Sequence, residues 1–190
     1  MSDPVSALQG RSGGGFVRVQ DAGPQGMITL RGDLSGNGFQ AALKAATGCV
    51  VPDATKIAMG EDAKCLWMSP DELLLLVAYA EVGAVVANLE AELKEQHAMV
   101  ADVSDARSLI TLSGEDGEVR DVLAKLSPAD LRQSACAVGT VRRTRFAQVP
   151  AAFWFEGAGE ASVVCFRSVS EYVFGLLDTG AAAGSEPGFH

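Results

Sequence analysis

The chain has 190 residues, 48% of them hydrophobic and 21% charged, and a formal net charge of −9 at pH 7. A chain of this length buries roughly 70% of the surface its unfolded form exposes, so its core requires neither disulfides nor a metal. The acidic balance excludes nucleic acid and anionic membrane as general partners, and the longest apolar run, Leu73 to Ala80, falls far short of the about 20 residues a membrane-spanning helix takes.

Residues 1–14 are rich in Gly and Ser, carry no signal-peptide pattern and are expected to be loose. Strands are predicted over Phe16–Gln20 and Met27–Arg31. Phe39, Ala42, Leu43 and Ala46 then follow the spacing of a helix with one buried face. Further strands are predicted over Thr55–Met59, Lys64–Met68 and Leu73–Val77. Between the last two, Ser69-Pro70-Asp71-Glu72 reads as a hairpin turn with Pro at its second position, because the Leu run that follows has no polar face. Val82, Val85, Val86, Leu89 and Leu93 mark a second helix. Strands at Met99–Val103 and Leu109–Leu112 lead to a third, marked by Val119, Val122, Leu123 and Leu126. Thr140–Ala147, Ala151–Phe155 and Ser162–Arg167 complete the strands, and Tyr172, Val173, Leu176 and Leu177 form the last helix. Ser113 with Asp116, and Ser168 with Glu171, have capping-box spacing. The tail from Thr179 to His190 has no periodicity and is expected to be loose.

This order occurs twice. Ile28-Thr29-Leu30 and Gly32 match Ile110-Thr111-Leu112 and Gly114 at one constant spacing, and Trp67 is expected to correspond to Trp154. The fold class is therefore α+β: two tandem pseudo-repeated units of ferredoxin-like type, with mostly antiparallel sheets, helices on one face, and the sheets burying their remaining faces against each other. One compact domain is expected over residues 15–178, with the repeats at about 15–104 and 105–178.

No catalytic set emerges. Cys49, Cys65, Cys136 and Cys165 form no C-x-x-C pair and read as reduced, buried thiols of a cytoplasmic protein. The only histidines are His97, placed to suit a helix C-terminus, and His190, the last residue. Neither a nucleophile triad nor a transition-metal cluster can be assembled. The glycines of Gly10–Gly15 and Gly32–Gly38 are wrongly placed or spaced for a phosphate loop. Glu61-Asp62, Asp71-Glu72 and Glu115-Asp116 read as turn and helix-start acids. One cluster, Arg142-Arg143-Thr144-Arg145, breaks the acidic pattern. On a strand Arg143 and Arg145 share a face and Arg142 points to the other. Three readings stay open: charge protection of an edge strand, ion pairing with a partner protein, and an anionic small ligand.

The stretch Asp102-Val103-Ser104, a strand, Gly114, the helix through Val119-Arg120-Asp121-Val122-Leu123 and Asp130-Leu131 resembles the folate-binding aminomethyltransferase superfamily, which includes the glycine-cleavage T-protein. Within it, the chain is more similar to the gamma-subunit family of heterotetrameric sarcosine oxidases. That similarity is carried by Leu66-Trp67-Met68-Ser69-Pro70-Asp71-Glu72, Asp102-Val103-Ser104-Asp105-Ala106-Arg107, Leu112-Ser113-Gly114, Asp121-Val122-Leu123-Ala124-Lys125, Thr144-Arg145 and Ser170-Glu171-Tyr172. It runs from about Leu66 onward, and the first 60 residues match poorly.

The resemblance implies a T-protein-like folate-binding fold and a structural, assembly role in a cytoplasmic complex that oxidises sarcosine to glycine, makes hydrogen peroxide and delivers a one-carbon unit to tetrahydrofolate as 5,10-methylenetetrahydrofolate. It implies alpha, beta and delta subunits as partners. FAD, FMN, NAD, zinc and the tetrahydrofolate site are expected on those subunits and none on this chain, which is expected to associate with itself when isolated. T-proteins carry His after Asp-Val-Ser, where Asp105 stands here, and place acidic residues where Phe146 to Trp154 has none. No catalytic, cofactor or metal residue is therefore expected. Trp67, Arg143, Arg145 and Trp154 are the candidate partner-interface residues. The rival expectations are a free-standing folate-binding one-carbon protein and an unrelated α+β protein-binding module.

Overall fold

The computed structural model describes residues 4–187. His190 lies outside the described residues, as do the outermost parts of the two termini expected to be loose. The described residues form eleven strands and four α-helices, in two compact units: residues 25–105, and residues 1–24 together with 106–190. No helix among them is long and apolar enough to cross a membrane.

For reference in chain order, the strands are β1 (Ser12–Gly14), β2 (Arg18–Asp21), β3 (Gly26–Arg31), β4 (Ile57–Met59), β5 (Lys64–Ser69), β6 (Glu72–Val77), β7 (Met99–Asp102), β8 (Arg107–Ser113), β9 (Val141–Phe146), β10 (Val149–Gly157) and β11 (Glu160–Phe166). The helices are α1 (Asn37–Thr47), α2 (Val82–Leu93), α3 (Asp116–Leu126) and α4 (Ser170–Gly180).

In the unit of residues 25–105 the strands pair antiparallel in the order β4-β5-β6-β3-β7. Leaving out the short β4, this is the four-strand order of a ferredoxin-like βαββαβ unit. Its core forms where the α1 stripe (Phe39, Ala42, Leu43) and the α2 stripe (Val82, Leu89, Leu93) meet the alternate strand residues Ile28, Leu30, Leu73 and Leu75. The two-residue period of the strands and the 3.6-residue period of the helices put these side chains on facing surfaces.

The other unit pairs its strands antiparallel in the order β1-β2-β8-β11-β10-β9. Val119, Val122 and Leu123 of α3 and Val173, Phe174 and Leu177 of α4 pack on Ile110, Leu112, Phe153, Phe155 and Val163. Here β8-α3-β10-β11-α4 repeats the plan of β3-α1-β5-β6-α2. The fourth ferredoxin-like strand, supplied by β7 after α2 in the first unit, is supplied by β2 from the start of the chain. The units thus do not follow the expected tandem boundary near residue 15, because β2 hydrogen-bonds to β8 from Arg18–Ser113 to Asp21–Ile110.

Residues 4–14 are not the loose segment that their composition suggested. Leu8 is buried in the core, Asp21 accepts hydrogen bonds from Ser6 Oγ and from the Gly10 amide (2.8 Å), Arg11 pairs with Glu171 at 2.8 Å, and the Gly14 amide donates to Asp178 Oδ1 at 2.6 Å. The start of the tail is likewise held: Ala181 is buried, and Lys125 Nζ donates to the carbonyls of Gly180 (2.7 Å) and Ser185 (2.6 Å). Composition signals missed both because the restraints come from side chains distant in sequence.

Two further expectations are corrected. Neither capping box forms: Ser113 ends β8, α3 is preceded by Glu115 and α4 by Val169, and neither cap makes a side-chain hydrogen bond. The tryptophans are not equivalent positions. Register equates Cys65 with Phe153, since each lies opposite the strand residue (Leu75, Val163) that pairs with Ile28 or Ile110. Trp67 therefore matches Phe155, and Trp154 matches Leu66. A one-residue offset puts the two indoles on opposite sheet faces.

The repeated glycine does have a shared role. The Gly32 amide donates to the Asp71 carbonyl at 3.1 Å, and the Gly114 amide donates to the Gly159 carbonyl at 3.0 Å. Each bond ties the end of a central strand, β3 or β8, to the turn of the hairpin that follows it. The register irregularity just before that turn also occurs twice, at Trp67/Ser69 and at Phe155/Gly157.

Candidate functional site

The motif that carried the sequence reading, Asp102-Val103-Ser104, closes β7 onto β3. Asp102 Oδ1 accepts from the Ser104 amide at 2.9 Å and from Ser104 Oγ at 2.6 Å. Ser104 Oγ in turn accepts from the Met27 amide at 3.0 Å, and the Val103 amide donates to the Met27 carbonyl at 2.9 Å. A short Asx turn thus lets the chain leave the sheet while a hydroxyl takes over a ladder hydrogen bond. Ser104 is buried, so these bonds form where water does not compete. Asp105 takes the Tyr79 hydroxyl at 3.1 Å. The three polar side chains are occupied with main chain and with one another or with a tyrosine.

β9 forms one end of its sheet. Phe146 faces the helices, and Arg142, on the same side of the strand, donates to the Ala135 carbonyl; Thr144 Oγ1 lies 3.0 Å from Ser127 Oγ. Arg143 and Arg145 project from the opposite face and are exposed. The facing deduced from alternation is the facing observed. Of the two tryptophans proposed for an interface, Trp67 is half-buried against its own helices, and Trp154 is wholly buried, its Nε1 donating to Glu156 Oε1 at 2.7 Å. Trp154 presents no surface to a partner, a correction that follows from the one-residue register difference above.

None of the four cysteines is in a disulfide, and all are buried. Burial pushes the Cys49 and Cys65 thiols up, and pushes Cys165 up to about 11 against the opposing pull of Arg107. Since the thiolate is the reactive form, the folded chain at pH 8 is expected to resist an aromatic disulfide reagent, with full reaction on adding denaturant. Rapid labelling of the native protein would contradict this. Among the described residues no three His, Cys, Asp or Glu side chains gather to hold a metal ion. His97 is exposed beyond the end of α2.

Two open recesses have the volume of a small ligand. One, of about 550 Å³ at the C-terminal end of α1, is bordered by Glu61, Asp62 and Glu81, carboxylates that repel an anionic pteroyl-glutamate. The other, of about 590 Å³, lies by Phe166, Arg167 and Glu171. Tetrahydrofolate does not fit the first on charge, and the second offers a single arginine beside a carboxylate.

Sequence reasoning overlooked Arg120. In the sequence it is only one residue of a helical segment, yet its side chain is buried, with Nε on Asp116 Oδ2 at 2.8 Å, Nη1 on the carbonyls of Leu131 (2.8 Å) and Cys136 (3.0 Å), and the guanidinium 4.1 Å above the Phe155 ring. The only signal for it was the i, i+4 spacing from Asp116.

Against known proteins, the model of the sarcosine oxidase, gamma subunit family matches residues 31–183. The chain belongs to this family. Among gamma subunits, that of Corynebacterium sp. (strain P-1) is 32% identical over 187 residues, 96% of this chain and 89% of that protein. That of strain U-96 is 33% identical over 148 residues, 76% of this chain and 70% of its relative. The similarity therefore reaches well into the first 60 residues, where the motifs had matched poorly. The heterotetrameric sarcosine oxidase from Corynebacterium sp. U-96, solved in complex with pyrrole 2-carboxylate, contains a chain that superposes with a TM-score of 0.80 at 28% identity, covering 90% of this chain and 86% of that one. Aminomethyltransferase T of the glycine cleavage system from Bartonella henselae shares the fold, with a TM-score of 0.61 at 12% identity over 92% of this chain and 48% of that one. The gamma-subunit family thus has the T-protein-like α+β architecture that the sequence motifs implied.

Proposed function

We propose that the chain is a non-catalytic structural subunit of a cytoplasmic heterotetrameric sarcosine oxidase, packed with alpha, beta and delta subunits that carry FAD, FMN, NAD, zinc and the tetrahydrofolate site. The complex demethylates sarcosine oxidatively to glycine, with hydrogen peroxide and 5,10-methylenetetrahydrofolate as the other products. Family membership and the 0.80 superposition on a chain of the U-96 heterotetramer support the assembly role. One observation carries the non-catalytic part: in the segment that resembles the T-protein motif, Asp102 and Ser104 are spent on closing β7 against β3, and Asp105 stands where the motif has His. The histidine that would move a proton there is replaced.

Co-expression with the three other subunits tests the reading. The chain is expected to co-elute with them in size exclusion at micromolar concentration. Separate elution would overturn the assembly role. Formation of 5,10-methylenetetrahydrofolate by the purified chain alone would overturn the non-catalytic role.

A further inference from the structure

The run Gly13-Gly14-Gly15, which is not a phosphate loop, has a definite place in the fold. A Cβ at Gly13 would overlap the Asp178 carboxylate of α4. One at Gly15 would overlap the Ala183 main chain and lie 2.9 Å from the Ala181 carbonyl oxygen, obstacles that no side-chain rotation relieves. Residues 4–21, the arm, thus pass against α4 and residues 181–187, the tail, at a distance that side chains do not permit.

Hydrogen bonds cross the same approach. The Gly14 amide donates to Asp178 Oδ1 at 2.6 Å, and the Phe16 amide donates to the Ala181 carbonyl at 3.1 Å. Lys125 of α3 stands where arm and tail meet. Its ammonium has three N–H donors, and three tail-side acceptors receive them: the carbonyls of Gly180 (2.7 Å) and Ser185 (2.6 Å) and Ser185 Oγ (3.2 Å). Its Nζ also lies 5.1 Å from the centre of the Phe16 ring. The arm is tied to itself through Asp21, whose carboxylate accepts from Ser6 Oγ and the Gly10 amide and whose amide donates to the Arg11 carbonyl at 2.8 Å.

The arm carries β2, with Val17 and Val19 wholly buried. In the unit of residues 25–105 the corresponding strand, β7, is delivered by α2. β2 reaches β8 from a distant part of the sequence and is kept there by tertiary contacts alone. Without it the seven residues of β8 would become an open sheet edge.

We infer that the glycine run seats the tail, and that arm and tail form one latch, pinned by Lys125, which opens and closes in a single step and guards the edge of β8. The latch is a property of the folded chain alone, independent of the assembly role.

Residue-resolved hydrogen exchange on the full chain is the test. In the wild type the amides of Gly10, Gly14, Phe16, Asp21 and Ser185 are expected to share one opening free energy, below that of the β10–β11 ladder. Distinct values for arm and tail would overturn the inference without any variant. K125M is expected to speed exchange of all five by about tenfold or more and to leave the β10–β11 amides unchanged. G15A is expected to release the same five. Acceleration confined to Ser185 in K125M, with the arm amides at wild-type rates, would overturn the inference, as would wild-type protection of both segments in G15A.

Discussion

Replacing Arg120 with Ala is expected to lower the stability of the chain by about 3–5 kcal/mol, from the combined loss of two buried hydrogen bonds to a charged donor, a partly exposed ion pair and the packing over Phe155. The side chain is only 11% exposed, yet it makes three charge-assisted hydrogen bonds and lies over an aromatic ring. Truncation leaves the carbonyls of Leu131 and Cys136 without that donor and opens a gap above Phe155. Each effect is unfavourable, since burying an unmatched polar group costs more than a satisfied bond gains. At roughly 2–4 °C per kcal/mol for a chain of this size, the midpoint falls by about 6–20 °C. Arg120→Lys is expected to recover little, because one ammonium cannot span Asp116 and two carbonyls at once. The loss also depends on pH. The Arg120 hydrogen bond, above all, holds the Asp116 carboxyl below its ordinary 3.8. A group depressed in the folded state stabilises above its unfolded pKa, and that contribution disappears as pH falls through the folded value. The gap between wild type and R120A should therefore narrow below about pH 4. Urea unfolding at neutral pH and at pH 3 measures both effects, and a variant within 1 kcal/mol of wild type at neutral pH would show that Arg120 is dispensable.

Most of the architecture is legible in the sequence because periodicity is a strong local signal. The α2 stripe runs from Val82 to Leu93, the residues the helix spans. The turn at Pro70-Asp71 is legible because a run of four leucines cannot be one face of an amphipathic helix. What failed was of two kinds. One was local chemistry with more than one use. Ser113 and Asp116 have capping spacing, but Ser113 remains in β8, and Asp116 turns instead to the Gly159 amide (3.2 Å) and to Arg120. The other was non-local pairing. Nothing within residues 12–21 announces that β1 and β2 complete a sheet whose remaining strands begin at residue 107. That information lies in the pairing of Val19 with Leu112.

The candidate surface divides in the same manner. Alternation put Arg143 and Arg145 on one face and Arg142 on the other. Trp154 could not be judged from the sequence, since an indole reads alike on either side of a sheet. Register decides, and register depends on the bulge near Phe155 and Gly157. Arg120 was illegible for a related reason. The carbonyls it satisfies belong to the irregular segment between α3 and β9, which has no sequence pattern of its own.

The second large effect is expected at Gly159, whose role follows from the repeated tie between strand end and hairpin turn. Gly159 has φ of +72°, and a Cβ there would lie 2.0 Å from the Gly114 carbonyl oxygen and 3.3 Å from the Asp116 amide nitrogen. Both neighbours are backbone, so no side-chain rotation relieves the overlap. Gly159→Ala must push the turn from β8, loosening the 3.0 Å bond from the Gly114 amide and the 3.2 Å bond from its own amide to Asp116. The left-handed conformation adds about 1–2 kcal/mol for any residue with a Cβ. Together these place the destabilisation on the order of 3–4 kcal/mol. A control separates the two contributions. Gly23 also has positive φ, +78°, but nothing lies within 4 Å of its Cβ position, so Gly23→Ala should show the conformational part alone, about 1–2 kcal/mol. Gly32, the counterpart of Gly114, lies on the strand-end side of the equivalent tie in the other unit, and there the nearest obstacle is the Phe39 ring edge at 2.9 Å, a side chain that can shift. The effect of Gly32→Ala should fall below that of Gly159→Ala, since Gly32 carries no left-handed cost. If urea unfolding ranks G159A with G23A, the approach of turn to strand end is not what requires glycine, and the recurrence of Gly32 and Gly114 needs another cause.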